Sequence, residues 1–138
     1  MDTYQDLDID PMKWAKGDIL ICLGGMAALD HKFGIVDKGA GKDLDSAFSS
    51  VRSLIENSCI CGFQLYNHGY DDSQELKRRQ EEATALEVEC YYRKAKEILA
   101  DNNEFFEKIA SELAKKGLLT MKDIQEIKKS CRIQPAAI

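Results

Sequence analysis

Ala85-Leu86-Glu87-Val88-Glu89-Cys90-Tyr91-Tyr92-Arg93-Lys94-Ala95-Lys96-Glu97-Ile98-Leu99 is the stretch that decides the fold. Ala85, Val88, Tyr92, Ala95 and Leu99 return at steps of three and four, which places them on one face of a helix, with charged residues between them. A half-buried strand would alternate apolar and polar residues, and no stretch of the chain does so over a useful length. The pattern is the seam of a helix pair and predicts the longest helix of the chain, over about residues 72–100.

Working outward from this seam, the same period recurs on both sides. Downstream, Asp101-Asn102 breaks the helix and can cap the next one, which carries Phe105, Phe106, Ile109, Ala110 and Leu113 and closes at Gly117. Thr120 with Asp123 three residues on resembles a capping box and opens a short last helix through Ile124 and Ile127. Upstream, Leu44, Ala47, Phe48, Val51, Leu54 and Ile55 form a near-continuous stripe, with Gly62 as the stop of a helix ending near Cys61. Further back, Asp10-Pro11 is a start signal for a helix running to about Leu29 or Asp30. Gly24-Gly25 lies inside that helix, where glycine costs helix propensity, so another backbone is expected to approach closely there. Residues 32–42 read as a glycine-containing loop and 63–73 as a packed aromatic loop. The expected fold is all-α: an irregular bundle of about five helices in one domain over residues 1–138, with 1–9 and 131–138 flexible.

Composition narrows the class. The chain has 138 residues, the usual size of one domain, with 44% hydrophobic and 31% charged residues. Its net charge of −5, with both signs interleaved, argues against nucleic acid as a partner. The basic run Lys77-Arg78-Arg79 is followed by Glu81 and Glu82 and reads as a solvated helix face. Residues 19–29, the most apolar run, fall short of the ~20 residues a membrane-spanning helix requires. Five scattered cysteines, an odd number, suit reduced and mostly buried thiols in a cytoplasmic protein better than a disulfide framework.

Chemistry is scarce in the residues themselves. Cys59-Ile60-Cys61 has no second Cys/His pair to complete a zinc cluster, and His31 and His68 stand alone. Gly39-Ala40-Gly41-Lys42-Asp43 could hold an anion at a helix start, yet it lacks the Lys-Ser/Thr pair of a phosphate loop. No nucleophile–base arrangement can be built from two unplaced histidines, so no catalytic residue is assigned.

One ordered set of residues goes further. Ile19-Leu20-Ile21-Cys22-Leu23-Gly24-Gly25-Met26-Ala27-Ala28, then Phe33-Gly34, then Gly39-Ala40-Gly41-Lys42-Asp43-Leu44 resembles the peptidase domain of FtsH-type AAA-plus zinc proteases. Glu87-Val88, Tyr92 and the run from Lys94 through Leu99 resemble that family's long helix, and Ile109-Ala110, Leu113, Leu118-Leu119 and Asp123-Ile124 its closing helices. The likeness runs in order over roughly residues 14 to 128. It implies the carboxy-terminal helical part of a zinc endopeptidase domain that forms a homo-oligomeric ring beneath an AAA-plus ATPase, which feeds it unfolded protein. Asp43 falls where the family carries its third zinc ligand.

The chain departs from the family in ways that bear on activity. It contains no His-Glu-x-x-His, the segment that supplies the other two ligands and the water-activating glutamate. The family's arginine after Gly-Gly is Met26 here, and its asparagine before the aspartate is Lys42. The expectation is a chain that does not hydrolyse peptides or bind zinc tightly alone. The alternative is a catalytically degenerate, free-standing helical scaffold or protein-interaction domain, which a lysine beside a zinc-binding aspartate favours.

Overall fold

A computed structural model describes residues 11–35, 41–57 and 74–136. Five α-helices follow one another along the described residues, which contain no strand: α1 (Pro11–Phe33), α2 (Gly41–Asn57), α3 (Gln74–Asp101), α4 (Asn103–Lys116) and α5 (Met121–Lys129). The all-α bundle expected from the periodicity is the fold observed.

The first three helices form the core. α1 and α3 run side by side in the same direction, since Asp30 near the end of α1 meets Tyr92 and Lys96 late in α3. α2 runs opposite to both: its Arg52 reaches Glu81, early in α3, and Ser49, Ser50 and Leu54 share a cleft with Ala15 and Asp18, early in α1. Ile19 and Leu23 of α1, Ala47, Val51, Leu54 and Ile55 of α2, and Val88 of α3 make one buried cluster; Leu20, Ala27 and Ala95 make a second between α1 and α3. Tyr91 and Tyr92 pack at the margin of both.

The α3 seam differs from its sequence reading at one end. Ala85 is exposed, and the buried positions there are Thr84 and Gln80, at 1% and 3% exposure. The true stripe descends from Val88 in steps of four onto two polar residues, which an apolar count cannot recognise. Thr84 spends its hydroxyl on the Gln80 carbonyl one turn earlier, at 2.7 Å.

Helix ends follow their local signals closely. α1 continues three residues beyond Asp30 and stops at Gly34, which takes φ +67° and donates its N–H to the Asp30 carbonyl at 2.9 Å. Gly117 ends α4 in the same left-handed conformation, its N–H on the Leu113 carbonyl at 2.7 Å. Thr120 and Asp123 form the full capping box expected of them, each side chain accepting the other's backbone N–H. The expected end of α2 near Cys61, the loop over 63–73, Cys59 and His68 lie outside the described residues.

α4 and α5 stand apart from the bundle. α4 leaves α3 across a single non-helical residue, Asn102, whose side chain does not cap α4 as expected. Instead its amide donates to the carbonyls of Ile98 and Gln134, and its oxygen accepts from the Gln134 N–H at 2.7 Å. The break is therefore fastened to residues beyond α5. α5 turns back along α4, as Lys116–Asp123 near the turn and Lys108–Ser130 at the far end both show. Neither helix of this arm has a buried residue. Phe105 and Phe106, on the apolar stripe of α4, are half-buried here because α4 carries them past the end of the bundle.

Candidate functional site

Asp43 lies in the first turn of α2 with its side chain exposed, between the exposed Lys42 and the half-buried Leu44. Helix periodicity explains the arrangement: Leu44, Ala47 and Val51 turn toward α1 and α3, which directs Asp43 to solvent. A carboxylate in a first turn faces the free N–H groups of the helix start, an orienting field that suits either a cap or a metal ligand. A catalytic zinc ion needs three protein ligands. Among the described residues no group of three His, Cys, Asp or Glu that could hold a metal ion comes together. Gly41 and Lys42 belong to the same first turn, whereas Gly39 and Ala40 lie outside the described residues.

His31 is not solitary in the structure. Its Nε2 lies 2.8 Å from Asn103 Oδ1, its ring meets Phe106 edge-on at 5.4 Å, and the neighbouring Lys32 pairs with Glu107 at 2.7 Å. These contacts join the end of α1 to the start of α4, and they explain His31 as a fastening for the arm. One turn deeper, the Tyr92 hydroxyl donates to Asp30 at 2.7 Å and Lys96 sits 3.0 Å from the same oxygen. The Tyr92 hydrogen bond first, and Lys96 second, hold the Asp30 carboxyl below its ordinary value of 3.8. Removal from water, reinforced by the Asp30 carboxylate, pushes Tyr92 up to about 12. Both shifts favour the state in which tyrosine donates and aspartate accepts. The node locks α1 to α3, and nothing in its geometry offers a reacting group.

Among the described residues nothing makes the close approach expected at Gly24 and Gly25 of α1. A methyl group built at Gly24 or Gly25 would meet nothing within 4 Å among the described residues. α1 turns this side away from α2 and α3, and Ile21, 76% exposed, and Trp14, 57% exposed, share it. The cysteines also differ from their reading as mostly buried: Cys22 and Cys131 are half-buried and Cys90 is exposed, all three as free thiols. Cys90 falls between Glu89 and Tyr91 on α3, outside the apolar seam. The side-chain amide nitrogen of Gln80 is buried without a hydrogen-bond partner among the described residues.

A concavity beside the arm was not legible as a site in the sequence. A cavity of about 540 Å³ opens between the end of α3, the two arm helices and residues 133–136, lined by Leu99, Phe105, Phe106, Ile109, Ile124 and Ile133, with Lys128 as its charged residue. The spacing assigns Leu99, Phe105, Phe106, Ile109 and Ile124 each to a helix stripe, and Ile133 falls in the tail expected to be flexible. That the stripes face a gap is a consequence of how the arm leaves the bundle.

Fold and site together define a class: an all-α three-helix bundle bearing a two-helix arm, with an exposed first-turn carboxylate. No helix among the described residues is long and apolar enough to cross a membrane. No protein-family model matches the chain, and no curated protein matches it as a relative.

Proposed function

We propose that the chain is the carboxy-terminal helical part of an FtsH-like zinc peptidase domain, a self-associating scaffold that does not cut peptides by itself. The observation that carries this reading is the placement of Asp43: an exposed carboxylate in the first turn of α2, where the resemblance puts the third zinc ligand. The remaining ligands and the base come from a His-Glu-x-x-His segment that this sequence does not contain. Zinc bound to such a complete set would acidify and activate a water molecule; this chain's share is to orient one carboxylate at a helix start. By the same resemblance an AAA-plus ATPase module and unfolded protein are its partners. Unpaired Cys22, Cys90 and Cys131 agree with a reducing, cytoplasmic setting.

Supplying a His-Glu-x-x-His helix as a fused or co-expressed segment tests the reading by zinc calorimetry. The complemented chain is expected to bind one zinc ion, with affinity falling about 100-fold on Asp43→Ala, while the chain alone binds none tightly. Tight one-to-one binding by the chain alone, or complemented binding indifferent to Asp43→Ala, would overturn it. The second reading, a degenerate scaffold without zinc, is favoured by Lys42 beside Asp43 and expects no zinc even after complementation.

A further inference from the structure

Four pieces of chain wall the cavity beside the arm: the end of α3, both arm helices and residues 133–136. It is therefore a trough rather than a flat helix face. Its volume of about 540 Å³ is that of a small-molecule site, which is mostly apolar with a few polar groups that fix orientation. Leu99 from α3, with Phe105, Phe106 and Ile109 from α4, makes one continuous apolar wall.

The polar groups of the trough divide into those already engaged and those that are not. Asn102 and Gln134 are bonded to one another: Asn102 Nδ2 donates to the Gln134 carbonyl at 3.0 Å, and the Gln134 N–H donates to Asn102 Oδ1 at 2.7 Å. Gln125 and Lys128 are left, three residues apart on α5 and so on one face of it. Among the described residues Gln125 Nε2 reaches only the Met121 sulfur, a weak acceptor, at 3.9 Å. Lys108, Lys115 and Lys116 of the arm each pair with a carboxylate, whereas among the described residues Lys128 pairs with none. Lys128 is also the one charged residue in the lining. The trough thus combines an apolar wall with a cation and an amide donor side by side on α5, in a chain whose net charge is −5.

The geometry points to a binding site for a free amphiphile with one alkyl chain and a carboxylate head, a medium-chain fatty acid in chemical class. The tail leaves water against Phe105, Phe106 and Ile109, and the carboxylate pairs with Lys128 Nζ and accepts from Gln125 Nε2. Charge selects the head group: a neutral head gains nothing from the ammonium, and a cationic one is repelled by it. Geometry selects it again, because an ammonium and an amide N–H both donate, and a carboxylate has lone pairs for both. The site goes beyond the zinc reading and uses neither Asp43 nor a metal.

Isothermal titration calorimetry of the full chain with dodecanoate, kept below its micelle concentration, tests the assignment. The expected result is one saturable site with a dissociation constant on the order of 10–100 µM. Decanoate, two methylenes shorter, binds about tenfold more weakly. Dodecyltrimethylammonium carries the same tail under a positive head, which a chain of net charge −5 attracts if uptake is nonspecific. At the trough it binds at least about tenfold more weakly than dodecanoate. Lys128→Met keeps an apolar stem, removes the charge and weakens dodecanoate about tenfold. Ala136→Trp crowds the trough and abolishes binding, while Lys122→Met, exposed on α5 and outside the lining, changes nothing. Circular dichroism checks that each variant folds. No saturable binding of dodecanoate up to ~1 mM would overturn the proposal and leave the trough to an apolar protein segment. Binding indifferent to Lys128→Met or to Ala136→Trp, or no weaker for dodecyltrimethylammonium, would overturn it too, as uptake elsewhere on the surface.

Discussion

Tyr92 and Asp30 lie 62 positions apart in sequence and 2.7 Å apart in space, and their bond has a defined pH window. A carboxyl held below 3.8 in the folded chain stabilises it above that pH, and the contribution is lost as pH falls through the folded value. A tyrosine pushed up from 10.0 to about 12 works the other way: its contribution is complete below about 10 and is lost as pH rises through about 12. Tyr92→Phe keeps the ring in its packing and removes only the hydroxyl. It is expected to cost about 1 kcal/mol at neutral pH and to flatten the stability loss between about pH 10 and 12. Urea denaturation followed by circular dichroism across pH measures both effects. An unchanged alkaline limb would mean that the hydroxyl–carboxylate bond does not hold α1 to α3.

At the scale of elements, α1 shows how a sound signal can carry the wrong reason. Gly24 and Gly25 weaken the helix, and a second backbone passing close by would have justified them. Among the described residues nothing comes within 4 Å of a methyl group placed at either. Gly25→Ala is therefore expected to raise stability by about 0.5–1 kcal/mol, the helix-propensity gain alone, read as a higher midpoint in thermal unfolding. A lower midpoint would show that something does approach this face. The capping box at Thr120–Asp123 and the left-handed Gly117 are opposite cases, read from sequence and found as read. Caps are local: each depends on residues within one turn, so neighbouring letters contain the whole cause. Asn102 marks the limit of that rule, because its amide serves Gln134, 32 positions away.

For the whole molecule the division is between a packed bundle and an arm with little behind it. All ten buried apolar side chains among the described residues belong to α1, α2 and α3. Apart from the Asn102 break, the named ties that hold the arm to the bundle are His31–Asn103, His31–Phe106 and Lys32–Glu107. An exposed ion pair of this kind adds little stability, so the arm is expected to open without the bundle. Native-state hydrogen exchange at low protein concentration should show α4 and α5 amides exchanging at least about 100-fold faster than those around Leu23, Val51 and Val88. Equal protection in all five helices would contradict an independently opening arm.

The sequence by itself determined the helices, their order and most of their ends. Those features arise from propensity, periodicity and capping, which act over a few residues. It also placed Asp43 at the head of α2, since the glycines before it and the apolar stripe after it leave a helix start nowhere else to fall. Tertiary structure decided what each face meets. Gln80 and Thr84 are buried though polar, Ala85 is exposed though apolar, Gly24 and Gly25 meet no close neighbour among the described residues, and Phe105 and Phe106 border a cavity rather than a core. Periodicity tells which residues share a side of a helix. Only the direction in which α4 leaves α3, fixed by one residue's backbone and its bonds to the distant Gln134, decides whether that side finds a partner.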